Sequence, residues 1–407
     1  MDEKTIELAE VFRLGFSDYA IHQGSLPAQH YRVVNALLAC HTSALGGHVY
    51  RCEQCGHEKI SYNSCRNRHC PSCQATARAR WVDQRMKELL PVPYFHVVFT
   101  VPARLNPFAL RNKEMFYNIL FQSASETLHT LAGNPKRLGA KIGFIAILHA
   151  WGQNLLDHPH LHCVVPAGGL AADGSRWKKI PHGNFLFPVK VMSALFRGKF
   201  LDLFKAAVCK KEILFHGALE EYQNPREFSA LLDSLYESDW VVYAKAPFAG
   251  PKAVLKYLGR YTHRIAIANA RLVQLTDTHV SFTWKDYADG NRKKVMTLTH
   301  VEFIRRFLLH IVPRGFVRIR YYGFLSQAAK KEKLAQCMKL LGQKLMEPLI
   351  DDIDKKARDI LLKELRGEDP WKCPLCNKGR LVPHREIPRP QRSVCRPGRK
   401  ERLSLVA

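Results

Sequence analysis

Apolar positions along the 407-residue chain change their period several times. Leu8, Val11, Phe12 and Phe16 recur at helical spacing and HYRVVNALLACHT (30–42) continues in the same manner, so residues 1–45 read as helical. ATARARWVDQRMKELL (75–90) reads as a basic helix. At Pro91 the character changes, and the β-branched and aromatic run YFHVVFTVP (94–102) predicts a buried strand. A long helix over roughly 106–132 follows, then two strands in GFIAILHAW (143–151) and LHCVVPAGG (161–169). Helices are expected around 189–215 and 225–237, a strand in DWVVYAKAPF (239–248), and a helix in GPKAVLKYLGRYTHR (250–264), which opens with proline near its first turn. IAIANARLVQL and HVSFTWKDY form a hairpin pair, EFIRRFLLHIVP (302–313) a short helix, FVRIRYYGFL (316–325) a strand, and 326–365 Lys-rich amphipathic helices. The order is mixed rather than regularly β-α alternating. The expected fold class is α+β with a largely antiparallel sheet.

Charge narrows the partner. Lys and Arg outnumber Asp and Glu 62 to 36, giving a formal net charge of +26. Such a chain seeks a polyanion, and nucleic acid is the usual one. A membrane surface is the rival partner, but the chain carries no lipid signal. No apolar run reaches the ~18–20 residues of a spanning helix, and MDEKTIELAE has no apolar core of a signal peptide. The expected location is therefore the cytoplasm, where twelve cysteines read as metal ligands or buried thiols rather than disulfides. Residues 366–407 carry eleven Lys/Arg against four Asp/Glu, a balance of +7, and read as a poorly ordered, Pro-rich basic tail.

Cys52-Glu-Gln-Cys55 and Cys70-Pro-Ser-Cys73 are two CxxC knuckles separated by 14 residues. Two tight turns that each offer a pair of thiolates suit tetrahedral zinc. Cys65 and His69 lie between them as replacement or additional ligands, with His48 and His57 as weaker candidates. Simple burial of these thiols is the bland alternative. Two pairs within 22 residues favour a structural zinc ion. Arg66, Arg68, Arg78, Arg80 and Arg85 surround the cluster and make DNA contact its expected task. Cys373-Pro-Leu-Cys376 is a third knuckle without a matching pair, with His384 and Cys395 as possible completions.

HAWGQNLLDHPHLHCVVPAGG (149–169) holds four histidines within 14 residues. On a strand His160 and His162 share one face while Leu161 points to the other. Two imidazoles on one face are a metal half-site. His149, at the end of the preceding strand, is the favoured third ligand, with Gln153 and His158 as alternatives. Open positions on a bound Mg²⁺ or Mn²⁺ would be available to a phosphate oxygen.

Tyr257 and Tyr261 lie four apart on the expected helix, on one face and a turn apart. Alone they read as core packing. Beside Lys256, Arg260, His263 and Arg264, and with a metal half-site elsewhere in the chain, they become candidate nucleophiles. A phenol with a free pKa of about 10 needs cations or a metal before it attacks. Trp151, Trp284 and Tyr321–Tyr322 are core aromatics or base-stacking platforms.

The blocks CEQCGHEKISYNSCRNRHCPSCQ, YFHVVFTVP, HAWGQNLLDHPHLHCVV, KYLGRYTHRIAIANARL and FIRRFLLHIVPRGFVRIRYYGFLS, in this order from about residue 48 to 326, resemble the rolling-circle transposases of the HUH class. The closer resemblance is to the insertion-sequence group with an N-terminal transposase zinc-binding domain, relatives of Helitrons. The resemblance implies an HUH nuclease core in which His160 and His162 hold Mg²⁺ or Mn²⁺. It implies Tyr257 and Tyr261 as a two-tyrosine motif, single-stranded DNA at element ends and target as substrate, and a bacterial, nucleoid-associated protein. Residues 52–73 take the position of the zinc site, and the third ligand of the catalytic metal is not fixed by the motif. The domains expected are a helical and zinc-binding module (1–92), a catalytic domain (93–326), a helical extension (327–365) and the basic tail (366–407). A replication initiator or relaxase shares the chemistry. A non-catalytic zinc-dependent DNA-binding protein would need the charge and the cysteines but neither histidines nor tyrosines.

Overall fold

The computed structural model describes residues 6–390 apart from 87, 182–184, 246–265, 288, 329, 343–368 and 370. The chain divides into two compact bodies, one made of Met1–Leu38 and Arg66–Arg358, the other of Ala39–Cys65 and Asp359–Ala407. A long-range strand pairing builds the smaller body. Elements are numbered in chain order.

The smaller body holds β1 (Gly47–Cys52), β2 (Glu58–Tyr62) and β13 (Leu381–Ile387), in the order β13-β1-β2. Both pairings are antiparallel, with Gly47 opposite Tyr62 on one side and Ile387 on the other. Part of the segment read as an irregular tail is thus a strand. Pro383 faces Tyr50 where the β1–β13 register shifts, and proline belongs on such an edge strand.

The larger body opens with α1 (Leu8–Gln23), α2 (Ala28–Ala39) and α3 (Pro71–Met86). A capping box between Glu7 and Glu10 starts α1, and Gly24 at φ 68° ends it. After β3 (Tyr94–Thr100) come α4 (Asn106–Arg111) and α5 (Lys113–Gly133). The single helix expected over 106–132 is broken at Asn112, whose side chain leaves the helix to bond the Leu214 N–H at 2.7 Å and carbonyl at 3.1 Å. Next follow β4 (Gly143–Trp151), β5 (Asp157–Pro166), β6 (Gly168–Leu170), β7 (Trp177–Lys179), α6 (Val189–Cys209), α7 (Pro225–Glu237) and β8 (Val242–Lys245). The body closes with β9 (Leu272–Leu275), β10 (His279–Asp286), β11 (Arg292–Thr299), α8 (His300–Leu309), β12 (Ile319–Gly323) and α9 (Lys330–Leu340). This is the α+β class, with antiparallel sheets flanked by helices, and is consistent with an HUH-like core.

Its main sheet has the order β12-β4-β5-β3-β8, every pairing antiparallel. Alternation along the strands gives it two faces. Phe95, Val97 and Phe99 of β3, Phe144 and Leu148 of β4 and Leu161 and Cys163 of β5 are buried on one face. There Phe99 meets Phe196 of α6 at a ring distance of 4.9 Å, and Phe116 of α5 meets Phe200 of α6 at 5.4 Å. Tyr94, Ile145, Ile147 and Val164 occupy the other face, in a core with Trp81 of α3 and Leu334 and Met338 of α9. Further along the strands, that second face carries His96, His149, His160 and His162.

Candidate functional site

Strand register creates the histidine cluster. His149 on β4 lies directly opposite His160 on β5, and period-two alternation puts His162 on the same face. One ring nitrogen from each of His149, His160 and His162 falls within 4.8 Å of the others. His158 does not join this group. His149 and His162 are buried and His160 is partly accessible. Trp151 is buried too and stacks on His149 with ring centroids 4.9 Å apart, so it braces the site.

Hydrogen bonds constrain the proton positions. His160 Nδ1 lies 2.6 Å from the carbonyl oxygen of His158. A carbonyl only accepts, so Nδ1 carries the proton and Nε2 keeps its lone pair. His162 Nδ1 lies 2.7 Å from Nε2 of His96. Burial, with the nearby Lys245 charge adding to it, pushes His96 down to about 4, so His96 is neutral. When the Nε2 of His96 accepts, His162 Nδ1 keeps its proton and its Nε2 is the nitrogen that faces His160.

His160 Nε2 and His162 Nε2 lie 3.1 Å apart. With metal–nitrogen bonds of ~2.0–2.1 Å, two ligands are separated by about 2.9 Å at a right angle and about 3.4 Å at a tetrahedral one. The observed spacing falls between these, so the donor set fits a divalent ion with His149 as its third nitrogen. His96 was not foreseen as part of the site. The signal was a single polar residue inside an apolar strand, a group that needs a partner.

The β4–β5 turn beside the cluster is held by buried polar groups. His310 Nε2 donates to the Leu155 carbonyl at 2.9 Å, and its Nδ1 lies 3.7 Å from the Asp157 carboxylate. Burial raises Asp157 to about 6 against the opposing pull of Lys113, and burial lowers His310 to about 4. Arg271 Nη2 donates to the Gln153 carbonyl at 2.5 Å, tying the start of β9 to the same turn.

The remaining candidates are distributed as follows. Tyr257, Tyr261, Lys256, Arg260 and Arg264 lie outside the described residues, as does the side chain of Arg80. Arg66 is exposed with φ 53°, and Arg78 is partly buried on α3. Arg68 donates to the Phe316 carbonyl at 2.7 Å, and Arg85 to the Tyr321 hydroxyl at 2.9 Å. Both are occupied inside the protein. Cys52 and Cys55 group with Cys373 and Cys376 rather than with Cys70 and Cys73. Cys70 and Cys73 stand at the start of α3, and the Cys65 N–H points at the Cys40 sulfur at 3.4 Å.

Two families match the chain. Residues 143–333 match one described as "Putative transposase", and 11–101 match "Transposase zinc-binding domain" of the IS91 type. The transposase for insertion sequence element IS801 of Pseudomonas savastanoi pv. phaseolicola is 28% identical over 361 residues, 88% of this chain and 84% of the relative. A protein of Sinorhizobium fredii (strain NBRC 101917 / NGR234), "Putative transposase y4qJ", is 50% identical over 376 residues, 92% of this chain and 94% of the relative. The chain belongs to the IS91/IS801 transposase family.

The matched regions divide the transposase along its chemistry. The first begins at Gly143, the first residue of β4, and contains His149, His160, His162, Tyr257 and Tyr261. The zinc-binding match contains Cys52, Cys55, Cys65, Cys70 and Cys73 but ends far before Cys373 and Cys376. A zinc-binding domain together with a four-cysteine group supports structural zinc in the transposase. Its substrate is DNA. No helix among the described residues is long and apolar enough to cross a membrane. No solved structure matches the chain.

Proposed function

We propose that the transposase cleaves and rejoins single-stranded DNA at element ends through a 5′-phosphotyrosine intermediate, as in rolling-circle transposition. The observation that carries this reading is the convergence of His149, His160 and His162, with the Nε2 atoms of His160 and His162 3.1 Å apart. A divalent ion such as Mg²⁺ or Mn²⁺, when bound there, supplies charge that polarises the scissile phosphate. The histidines fix the position of that charge, and the buried Trp151 and His96 keep their rings from turning.

Tyr257 and Tyr261 are the proposed nucleophiles. The described chain leaves the main sheet at Lys245, the register partner of His96, and after 246–265 it is tied by Arg271 to the Gln153 carbonyl. The downstream flank therefore lies at the β4–β5 turn beside the histidines, which supports drawing the nucleophile from this segment. The phenol loses its proton, its oxygen bonds to phosphorus, and the bond from phosphorus to the 3′ oxygen breaks. That oxygen takes up a proton and leaves as a 3′-hydroxyl. The phosphodiester energy stays in the tyrosyl linkage, so rejoining needs no further energy source. Lys256, Arg260 and Arg264 are proposed to neutralise phosphates and to favour the phenolate. Arg66, Arg78 and Arg80 would hold flanking DNA, and Cys70 and Cys73 offer further zinc thiolates.

Oligonucleotides carrying an element end test this reading. With Mn²⁺, a single-stranded oligonucleotide labelled 3′ of the cleavage point is expected to migrate with the protein through SDS. The adduct should vanish with EDTA and be absent on the fully paired duplex. Cleavage with no protein-linked product would overturn it.

His96 provides a finer check. Outer partners of metal-binding histidines are commonly worth 10–100-fold in metal affinity or activity. His96→Gln is expected to raise the Mn²⁺ needed for half-maximal cleavage about 10- to 100-fold while DNA binding stays unchanged. An unaltered Mn²⁺ dependence would show that His96 does not orient His162.

A further inference from the structure

The smaller body contains a second ligand set that sequence spacing did not assemble. Cys52 Sγ lies 3.7 Å from Cys376 Sγ, and Cys55 Sγ lies 3.6 Å from Cys373 Sγ. All four sulfurs are within 4.8 Å of one another. A disulfide would bring two of them to about 2.05 Å. In a tetrahedral site with Zn–S bonds of ~2.3 Å, the sulfur–sulfur edge is about 3.8 Å.

The two knuckles also repeat one backbone design. In the first, the Gly56 N–H donates to the Cys52 carbonyl at 3.0 Å and the Cys52 N–H to the His57 carbonyl at 2.9 Å. In the second, the Asn377 N–H donates to the Cys373 carbonyl at 3.0 Å and the Cys373 N–H to the Gly379 carbonyl at 2.9 Å. The residue after each second cysteine is left-handed, Gly56 at φ 72° and Asn377 at φ 55°. Glycine and asparagine tolerate that conformation best. The Gly379 N–H points at Cys376 Sγ at 3.2 Å. A Cβ on Gly379 would run into the Cys52 sulfur, so this approach requires glycine.

Strand pairing delivers the knuckles to each other. The β1–β13 register runs to Cys52 opposite Leu381, and the Glu53 N–H then bonds the Arg380 carbonyl at 3.1 Å. Tyr50 and Trp371 pack beside the cluster at a ring distance of 5.3 Å.

We infer that Cys52, Cys55, Cys373 and Cys376 form one tetrathiolate zinc site, so that the C-terminal segment completes a site begun in the N-terminal zinc-binding region. Cys55 and Cys373 are 318 residues apart in sequence. The ion therefore closes a ribbon whose halves lie far apart in the sequence. The inference is independent of the tyrosine chemistry.

Zinc content of the purified full-length protein tests it. Cys52→Ser/Cys55→Ser, Cys373→Ser/Cys376→Ser and the quadruple variant are each expected to lose the same single zinc equivalent relative to wild type. An unchanged content in Cys373→Ser/Cys376→Ser, or a loss of two equivalents in the quadruple variant, would overturn the site. A conservative variant guards against misfolding. Cobalt-loaded Cys376→His should keep its metal but shift the visible bands of one site from the tetrathiolate to the three-thiolate, one-imidazole pattern. Bands identical to wild type would also overturn the assignment.

Discussion

Replacing His160 and His162 together by alanine is expected to lower DNA cleavage by at least about 10³-fold, or about 4 kcal/mol of barrier, while DNA affinity stays within a few-fold. The two effects separate because they arise from different parts of the chain. Affinity comes from the Lys and Arg excess behind the +26 charge. Cleavage is proposed to depend on the converging nitrogens, and the double variant leaves only His149 of the three. His162 is 7% exposed and bonded to His96, so its loss orphans a buried group at a cost of about 1–3 kcal/mol. A melting curve should accompany the assay. A folded variant that keeps more than a tenth of wild-type cleavage would remove the histidines from the chemistry.

The second large effect is on stability. Gly323→Ala is expected to destabilise the larger body by about 3 kcal/mol or more. Gly323 has φ +59°, and a Cβ there would run into the carbonyl oxygen of Ile142. It closes β12 opposite Gly143, where an added Cβ would meet the Phe324 ring at 2.6 Å. Backbone and core ring leave no room to give. Gly290 is the control, with φ +54° and nothing within 4 Å. Gly290→Ala should cost only the ~1–2 kcal/mol of the left-handed backbone. Chemical denaturation of the two variants measures the difference, and equal losses would refute the steric account.

Much of the histidine site could be read from local pattern. Period two along LHCVV put His160 and His162 on one face, and the preceding strand offered His149. Those relations need only a strand and its neighbour. His96 was harder, because its partner is set by the β3–β5 register, which no local window contains. The same limit hid the pairing of Cys52 and Cys55 with Cys373 and Cys376. Spacing along the chain favoured Cys70 and Cys73, whereas strand β13 brings in the distant knuckle. β13 itself was obscured by Pro383 and by its exposed residues His384–Glu386. β11 was missed for a related reason. RKKVMTLT exposes alternate residues and fully buries none, so its apolar signal is weak. The break at Asn112 depends on a loop a hundred residues away.

The central claim is that a tyrosine of residues 257–261 becomes joined to DNA at a site organised by His149, His160 and His162. Its most direct test is to digest the Mn²⁺-dependent protein–DNA adduct and identify the modified peptide by mass spectrometry. Tyr257→Phe, Tyr261→Phe and the double variant should be run in parallel. The account predicts a nucleotide 5′-phosphate on Tyr257 or Tyr261 and no adduct in the double variant. An undiminished adduct in the double variant, or a nucleotide on another residue of the wild type, would contradict it.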